Sequence, residues 1–188
     1  MANSKALIQV AQSFLQAIGE NPEREGLLET PLRMAKMWQE VFCGYDPAKK
    51  PKITIFPNGK DGIVYDEMII SEGYFYSHCE HHGATFFGSW FFGYIPNEYI
   101  MGASKIDRLV DYHAARLQVQ ERLVLNIIDD IVKSVQPSGC GLVMRGRHLC
   151  REMRGVKKTN TIFETTALRG SFKESKATRD EFLSRIQR

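Results

Sequence analysis

The sequence lacks the long apolar runs, the regular cysteine spacing and the leader-like N-terminus that mark membrane and secreted proteins. No run of about 18 apolar residues occurs, so no transmembrane helix is expected. The four cysteines, at positions 43, 79, 140 and 150, lack the dense spacing of a disulfide scaffold. The first residues show helical periodicity instead of the basic start and apolar block of a signal peptide. We therefore expect a cytoplasmic protein with reduced thiols and no membrane association.

A strong charge of one sign is also absent. Lys and Arg number 25 against 22 Asp and Glu, and a net charge of +3 is small for a protein that binds nucleic acid. No nucleic-acid partner is therefore expected. Six cations nevertheless lie close together and are opposed only by Glu152: Arg145, Arg147, Arg151, Arg154, Lys157 and Lys158. This basic stretch is either a solvated face or a surface on which an anion docks.

The length of 188 residues suits one domain preceded by a helical arm, which we place at residues 46–188 and 1–45. Apolar spacing predicts a helix over residues 4–18 and a second helix capped by Thr30. After a connector rich in proline, further patterns predict strands over 63–71, 74–79 and 85–95, two helices over 104–135, and strands over 140–150 and 161–170.

The order of these elements predicts the fold class. Two strands, two helices and two strands pack most simply as an α+β fold, in which an antiparallel sheet of about four strands carries helices on one face. The segment "HCEHHG" would form the turn between the first two long strands. Because such a sheet has open edges, we also expect subunits to assemble.

The "HCEHHG" segment holds three of the five histidines and one of the four cysteines. Cys79 and His82 are three positions apart, and His148 and Cys150 are two apart, which on a strand places both on one face. If these pairs meet, Cys79, His82 and Cys150 could hold Zn²⁺ and leave a fourth position for water, as catalytic sites do. His81 and His148 would then be available for proton transfer.

Two other interpretations of these residues remain open. Histidines in a turn are often only hydrogen-bonded, and pairs separated by about seventy residues are a weaker signal than adjacent C-x-x-C motifs. A closed structural site, with His148 as the fourth ligand, is also compatible with the spacing.

Further polar residues could contact a nucleotide. Ser104, Lys105 and Arg108 open a predicted helix, where backbone amides and the helix dipole favour phosphate, and Arg33 lies near the start of another helix. Gln120 and Glu121 could read the donor and acceptor edge of guanine, although such a pair is often merely solvated.

Six stretches carry a resemblance to a known family: "ETPLRMAKMW", "SHCEHH", "GASKIDRLVDYHAARLQVQERL", "RHLCREMRGVKK", "ALRGSF" and "TRDEFL". In this order and spacing, from about residue 20 onwards, they resemble GTP cyclohydrolase I. The resemblance implies a T-fold subunit within a ring-shaped homodecamer whose sites lie between subunits. It also implies conversion of GTP and water to formate and 7,8-dihydroneopterin triphosphate, the first step of tetrahydrofolate or pterin biosynthesis.

The same resemblance implies a role for each candidate residue. The zinc ligands would be Cys79, His82 and Cys150. Proton transfer would fall to His81, His148 and Ser104. Guanine recognition would fall to Gln120 and Glu121, and the ribose and triphosphate contacts to Ser104, Lys105, Arg108, Arg154 and Arg33.

Some residues depart from the family pattern. Arg145, Gly146 and Arg147 precede His148 where acidic or small residues are common, and Arg151 and Glu152 follow Cys150 where apolar residues are frequent. The alternatives are a divergent T-fold enzyme acting on a pterin or deazaguanine, and a zinc-stabilised module that binds nucleic acid through the basic stretch.

Overall fold

A computed structural model describes residues 4–186 of the chain. Its helices are α1 (Ser4–Ala17), α2 (Thr30–Val41), α3 (Lys105–Ala114), α4 (Gln120–Val135), α5 (Leu149–Glu152), α6 (Ser171–Glu174) and α7 (Lys176–Arg185). Its strands are β1 (Ile55–Pro57), β2 (Ile69–Cys79), β3 (Thr85–Ile95), β4 (Tyr99–Met101), β5 (Leu117–Gln118), β6 (Gly139–His148) and β7 (Phe163–Gly170). The predicted α+β class is confirmed.

The main sheet has the strand order β5-β2-β3-β6-β7. The long strands β2, β3, β6 and β7 pair antiparallel, whereas β5 pairs in parallel with the end of β2. Strands β1 and β4 form a separate two-stranded sheet. The element order therefore contains three short strands that the predicted series of two strands, two helices and two strands leaves out.

Helices α3 and α4 cover one face of this sheet. Their apolar stripes, spaced at the helical period, are fully buried at Leu109, Ile127 and Ile131. They pack against alternate residues of the strands, such as Trp90 and Leu142. Each such side chain contributes roughly 1.5–3 kcal/mol of burial free energy. This core holds the start of α4 against the ends of β2 and β6.

The opposite face of the sheet is also partly covered. Phe172 of α6 and Phe182 of α7 pack against Val143 of β6. Gly141 leaves room for them, because a Cβ atom there would lie 2.8 Å from the Phe182 ring. The expectation of helices on one face thus holds for α3 and α4 only. It fails at the C-terminus because β6 is apolar on both of its faces.

The N-terminal helices pack on each other through small buried residues, Ala11 and Ala35. Helix α1 agrees with the predicted helix, but Thr30 is the first residue of α2 and not its cap. Strand β2 begins at Ile69, so the extended pattern predicted from residue 63 starts as exposed loop. Among residues 4–186, no helix is both long and apolar enough to cross a membrane.

Candidate metal centre

A cleft of about 280 Å³ lies where the end of β2, the start of α4 and the end of β6 meet. It is lined by Cys79, His81, His82, Gln118, Val119, Gln120, Glu121, His148, Cys150, Arg151 and Phe163. A larger groove of about 910 Å³ on the sheet, beside Tyr74 and Arg185, has no cysteine or histidine in its lining. Of these two cavities, the smaller cleft is therefore the one that gathers cysteine and histidine side chains.

The turn between β2 and β3 positions two of the cleft residues. The Cys79 amide donates to the Ala84 carbonyl at 2.8 Å, and the Gly83 amide donates to the Cys79 carbonyl at 2.8 Å. Gly83 has a φ of +65°, a conformation that a residue with a Cβ adopts only with strain. Glu80 forms an ion pair with Arg122 of α4. The turn is thus held by its own backbone and by α4.

Cys150 reaches the cleft from a helix, which differs from the prediction. Strand β6 ends at His148, and Cys150 lies in the single turn of α5 instead of on the strand. Its placement still brings the expected residues together. The ligand atoms of Cys79, His82 and Cys150 all lie within 4.8 Å of one another.

This group of donors suits a divalent metal ion. Two thiols and one imidazole are typical zinc donors, and ligand atoms of a tetrahedral zinc site lie roughly 3.5 Å apart. Burial, followed by the neighbouring Cys79 thiol, raises the pKa of the Cys150 thiol. A cation between the two sulfur atoms would offset the repulsion of paired thiolates. The Cys-His-Cys group can therefore hold a metal ion with small adjustments of the side chains.

His148 and Gln120 form a buried network beside this group. The Gln120 Nε2 atom donates to the carbonyls of Met144 and Phe163, both at 2.9 Å, and contacts the Thr165 hydroxyl at 3.1 Å. Its Oε1 atom is therefore left to accept from His148 Nε2 at 3.0 Å. This arrangement assigns the proton of a neutral His148 ring to Nε2 and leaves Nδ1 as the unprotonated nitrogen.

Packing further restricts the His148 ring. It stacks on Phe86, with the centroids 4.6 Å apart, and meets the Phe163 ring edge-on. Burial, with a smaller contribution from Arg151, lowers the pKa of His148. Gly146 is needed beside this network, because a Cβ atom there would lie 2.3 Å from Gln120 Oε1. The neutral imidazole is thus held in one orientation.

The structure brings together seven of the predicted site residues and leaves five outside the cleft. Inside are Cys79, His81, His82, Gln120, Glu121, His148 and Cys150; outside are Arg33, Ser104, Lys105, Arg108 and Arg154. Ser104 directly precedes α3, and Lys105 and Arg108 lie in its first turn. Arg33 is exposed on α2 and pairs with Glu29 at 2.6 Å. Arg154 is exposed in the loop after α5.

Several cleft residues were missed in the sequence. Phe163 opens β7 opposite Gly146, so the register of the predicted strands was the signal that could have placed it beside His148. Gln118 lies on β5, and its side-chain amide donates to the His113 carbonyl at 2.9 Å. No local sequence pattern predicts this contact. The basic stretch is partly neutralised, because Arg145 pairs with Glu164 and Arg147 pairs with Glu152.

Fold and site together define an α+β protein with a Cys-His-Cys group suited to a metal ion and two further histidines beside it. Residues 7–187 match the family model of GTP cyclohydrolase I, and the chain belongs to that family. The match begins earlier than residue 20, within α1.

Curated relatives cover almost the whole chain. The GTP cyclohydrolase 1 of Janthinobacterium sp. (strain Marseille) is 45% identical over 90% of this chain and 85% of its own length. The GTP cyclohydrolase 1 of Campylobacter lari is 43% identical over 95% of this chain and 93% of its own length. That of Dehalococcoides mccartyi is 44% identical over 100% of this chain and 98% of its own length. These matches do not favour a pterin, deazaguanine or nucleic-acid-binding alternative.

Proposed function

We propose that this protein is a zinc-dependent GTP cyclohydrolase, which converts GTP and water to formate and 7,8-dihydroneopterin triphosphate. The observation that carries the proposal is the Cys79, His82 and Cys150 group beside His148, in a chain of this family. The relatives named above are themselves called GTP cyclohydrolase 1. A cytoplasmic location suits a nucleotide substrate and free thiols.

Zinc is the metal that best suits the donors, because thiolate and imidazole ligands favour Zn²⁺ over Mg²⁺ or Ca²⁺. A bound Zn²⁺ would supply a water activated for hydrolysis, since zinc lowers the pKa of water toward neutrality. Cys79, His82 and Cys150 would hold it. With three protein ligands, a fourth position remains for water or substrate, as in catalytic zinc sites.

The two remaining histidines of the cleft would move protons. His148 is held by Gln120 and Phe86, so that its Nδ1 atom can exchange a proton with the imidazole ring of guanine. His81 is exposed, and its Nδ1 atom lies 3.6 Å from Cys79 Sγ, close to the zinc ligands but outside the Cys-His-Cys group. It could serve the later steps, in which the ribose rearranges and a new ring closes.

Guanine recognition would be divided between the two residues that open α4. Glu121 is exposed in the first turn and can accept from the N–H groups of the base. Gln120 is 1% exposed, and its side-chain amide is already bonded within the protein. We therefore assign the base contact chiefly to Glu121, and to Gln120 the orientation of His148.

The triphosphate would be bound by residues outside the cleft of a single chain. Helix α3 has ten residues and is therefore about 15 Å long. Its C-terminal end lies near the cleft, because Ser77 Oγ donates to the Ala114 carbonyl at 2.7 Å. Ser104, Lys105 and Arg108 are thus at the far end, and we propose that they serve the site of a neighbouring subunit.

This arrangement agrees with a T-fold catalytic domain over residues 46–188, assembled into a ring, in the family's case a homodecamer. The arm at residues 1–45 would contribute Arg33, and the loop after α5 would contribute Arg154, as further phosphate contacts. Ser104 would add a hydroxyl for proton exchange near the ribose.

Product analysis tests the proposed function. Purified protein loaded with Zn²⁺ is incubated with GTP, formate is assayed, and the pterin is detected by its fluorescence after oxidation. We expect both products in equal amounts, and we expect loss of both after chelation and recovery on adding Zn²⁺. Absence of both products from protein that retains zinc would contradict the proposal.

A further inference from the structure

The short helix that carries Cys150 is anchored by an ion pair outside the cleft. Arg147 Nε lies 3.0 Å from Glu152 Oε1, and an Arg147 terminal nitrogen lies 2.6 Å from Oε2, so both carboxylate oxygens are bound. The Glu152 side chain is only 6% exposed. Such bidentate pairs are stronger and more directional than single contacts. Arg147 precedes His148 in the chain and Glu152 follows Cys150, so the ion pair brackets both cleft residues.

Arg147 is held in place by a further contact. The Arg147 guanidinium lies 5.6 Å from the centroid of Phe87 on β3, and Phe87 stacks on Tyr76 of β2. Glu152 is the last residue of α5, so its carboxylate joins the end of β6 directly to this short helix.

Arg147 does not itself line the cleft. Successive residues of a strand point to opposite faces, so Arg147 and His148 lie on opposite faces of β6. Any effect of Arg147 on the metal must therefore act through Glu152 and α5. With four residues, α5 has too few internal hydrogen bonds to hold Cys150 in place by itself.

We propose that Arg147 and Glu152 are positioning residues that set Cys150 at metal-binding distance from Cys79 and His82. The inference rests on the metal site proposed above. Without the pair, α5 would still follow His148, but Cys150 would sample positions too far from the other ligands. Metal binding would then have to order this turn, and the affinity would fall.

A second ion pair on the same strand offers a matched control. Arg145 Nε lies 2.7 Å from Glu164 Oε2, and these residues are already paired by the backbone of β6 and β7. Arg145 and Arg147 point to the same face of β6. The Arg145 pair does not reach α5, so its loss should not affect Cys150.

The experiment measures Zn²⁺ affinity by competition with a chromophoric chelator, in wild type, Glu152→Gln and Glu164→Gln. Glu152→Gln should weaken Zn²⁺ binding about 10–100-fold, the usual range for partners that orient metal ligands. Glu164→Gln should stay within about twofold, as expected for a partly exposed pair. Equal affinity in wild type and Glu152→Gln, or an equally large loss in Glu164→Gln, would overturn the proposal.

Two further variants separate positioning from simple loss of folding. The charge swap Arg147→Glu with Glu152→Arg should recover part of the lost affinity. Arg147→Lys keeps the charge but loses the bidentate geometry, and in folded protein it should weaken Zn²⁺ binding at least about threefold. Wild-type affinity in Arg147→Lys, with an unchanged circular dichroism spectrum, overturns the proposal. If wild type itself binds no Zn²⁺, the metal site fails, whereas Zn²⁺ binding that is unaffected by the variants removes the positioning role alone.

Discussion

The two ends of helix α3 lie in different surroundings. At the C-terminal end, Ala114 accepts from Ser77, and the chain continues into β5, which pairs with the strand that carries Cys79. At the N-terminal end, Ser104 and Arg108 are exposed. Within residues 4–186, neither Lys105 nor Arg108 forms an ion pair. One end lies near the chain's own cleft, and the other presents cations to the exterior.

This difference suggests a division between the residues for metal binding and proton transfer and the residues for triphosphate binding. The donors for metal and proton chemistry are assembled by the packing of one chain, where the sheet and α4 fix their positions. The cations suited to a triphosphate are left about one helix length away. We therefore propose that a site which uses both ends of α3 combines two copies of the chain, and the experiments below test each half of this division.

The largest effect should follow loss of a metal ligand. Cys150→Ala removes one of the three donors, so we expect zinc content to fall below stoichiometry and formate production to become undetectable. Metal analysis and the formate assay measure these two quantities. Cys43→Ala is the control, because Cys43 lies outside the cleft, and it should keep both. Full zinc content in Cys150→Ala would remove Cys150 from the ligand set.

A smaller but still severe loss should follow removal of His148, the proposed proton-transfer residue. His148→Ala should lower kcat about 10²–10⁴-fold, the usual contribution of general acid–base catalysis, while zinc stays bound. Measuring both kcat and zinc content in this variant separates a role of His148 in proton transfer from a role as a metal ligand. Loss of zinc together with activity would instead make His148 a fourth ligand and the site a closed one.

The proposed between-subunit arrangement predicts recovery of activity in mixtures. His148→Ala alone should keep only the residual activity given above, and Lys105→Ala/Arg108→Ala alone should also be strongly impaired. If the two halves of a site come from different chains, random co-assembly restores roughly a quarter of the sites. Co-expression of the two variants, followed by the formate assay, measures this fraction. Activity that stays at the level of the separate variants would place all these residues in one chain's site.

The sequence predicted the parts of the fold that depend on local periodicity. Helices α3 and α4, with the break between them, and the turn at "HCEHHG" follow from apolar spacing and glycine. Strand β5 was missed because its two residues owe their pairing to the tertiary position of β2. The cover of the second face was missed because no helix was predicted after residue 170, although the apolar run of β6 is the pattern of a strand buried on both faces.

In the site, spacing found the donors but not their partners. The group of Cys79, His82 and Cys150 was predicted, although Cys150 was placed on a strand and lies on a helix. The burial of Gln120 could not be predicted, since it depends on the register that sets Gly146 opposite Phe163. The separation of Lys105 from the cleft follows from the direction of α3, which periodicity does not report.

The smallest effect concerns the buried end of α3, where His113 contacts Asp130. Its Nε2 atom lies 2.8 Å from Asp130 Oδ2, and Lys50 binds the same carboxylate. Burial lowers the pKa of His113, although Asp130 opposes this and Arg116 and Lys50 favour it. The neutral ring is therefore preferred in the folded state, so the contact is a hydrogen bond between an N–H group and a carboxylate.

The sign of the pH dependence follows from this shift. A histidine whose pKa is lower in the folded state binds protons more readily when unfolded, so its contribution to stability is lost as the pH falls below about 6.5. His113→Gln keeps an N–H donor for Asp130 but cannot titrate, and we expect a smaller loss of unfolding free energy between pH 7.5 and pH 5.5 than in wild type. Urea denaturation at the two pH values measures it. Arg108→Ala, at the exposed end of α3, is the control and should leave the wild-type pH dependence of the unfolding free energy unchanged. An equal change of this pH dependence in both variants would mean that it does not arise from His113.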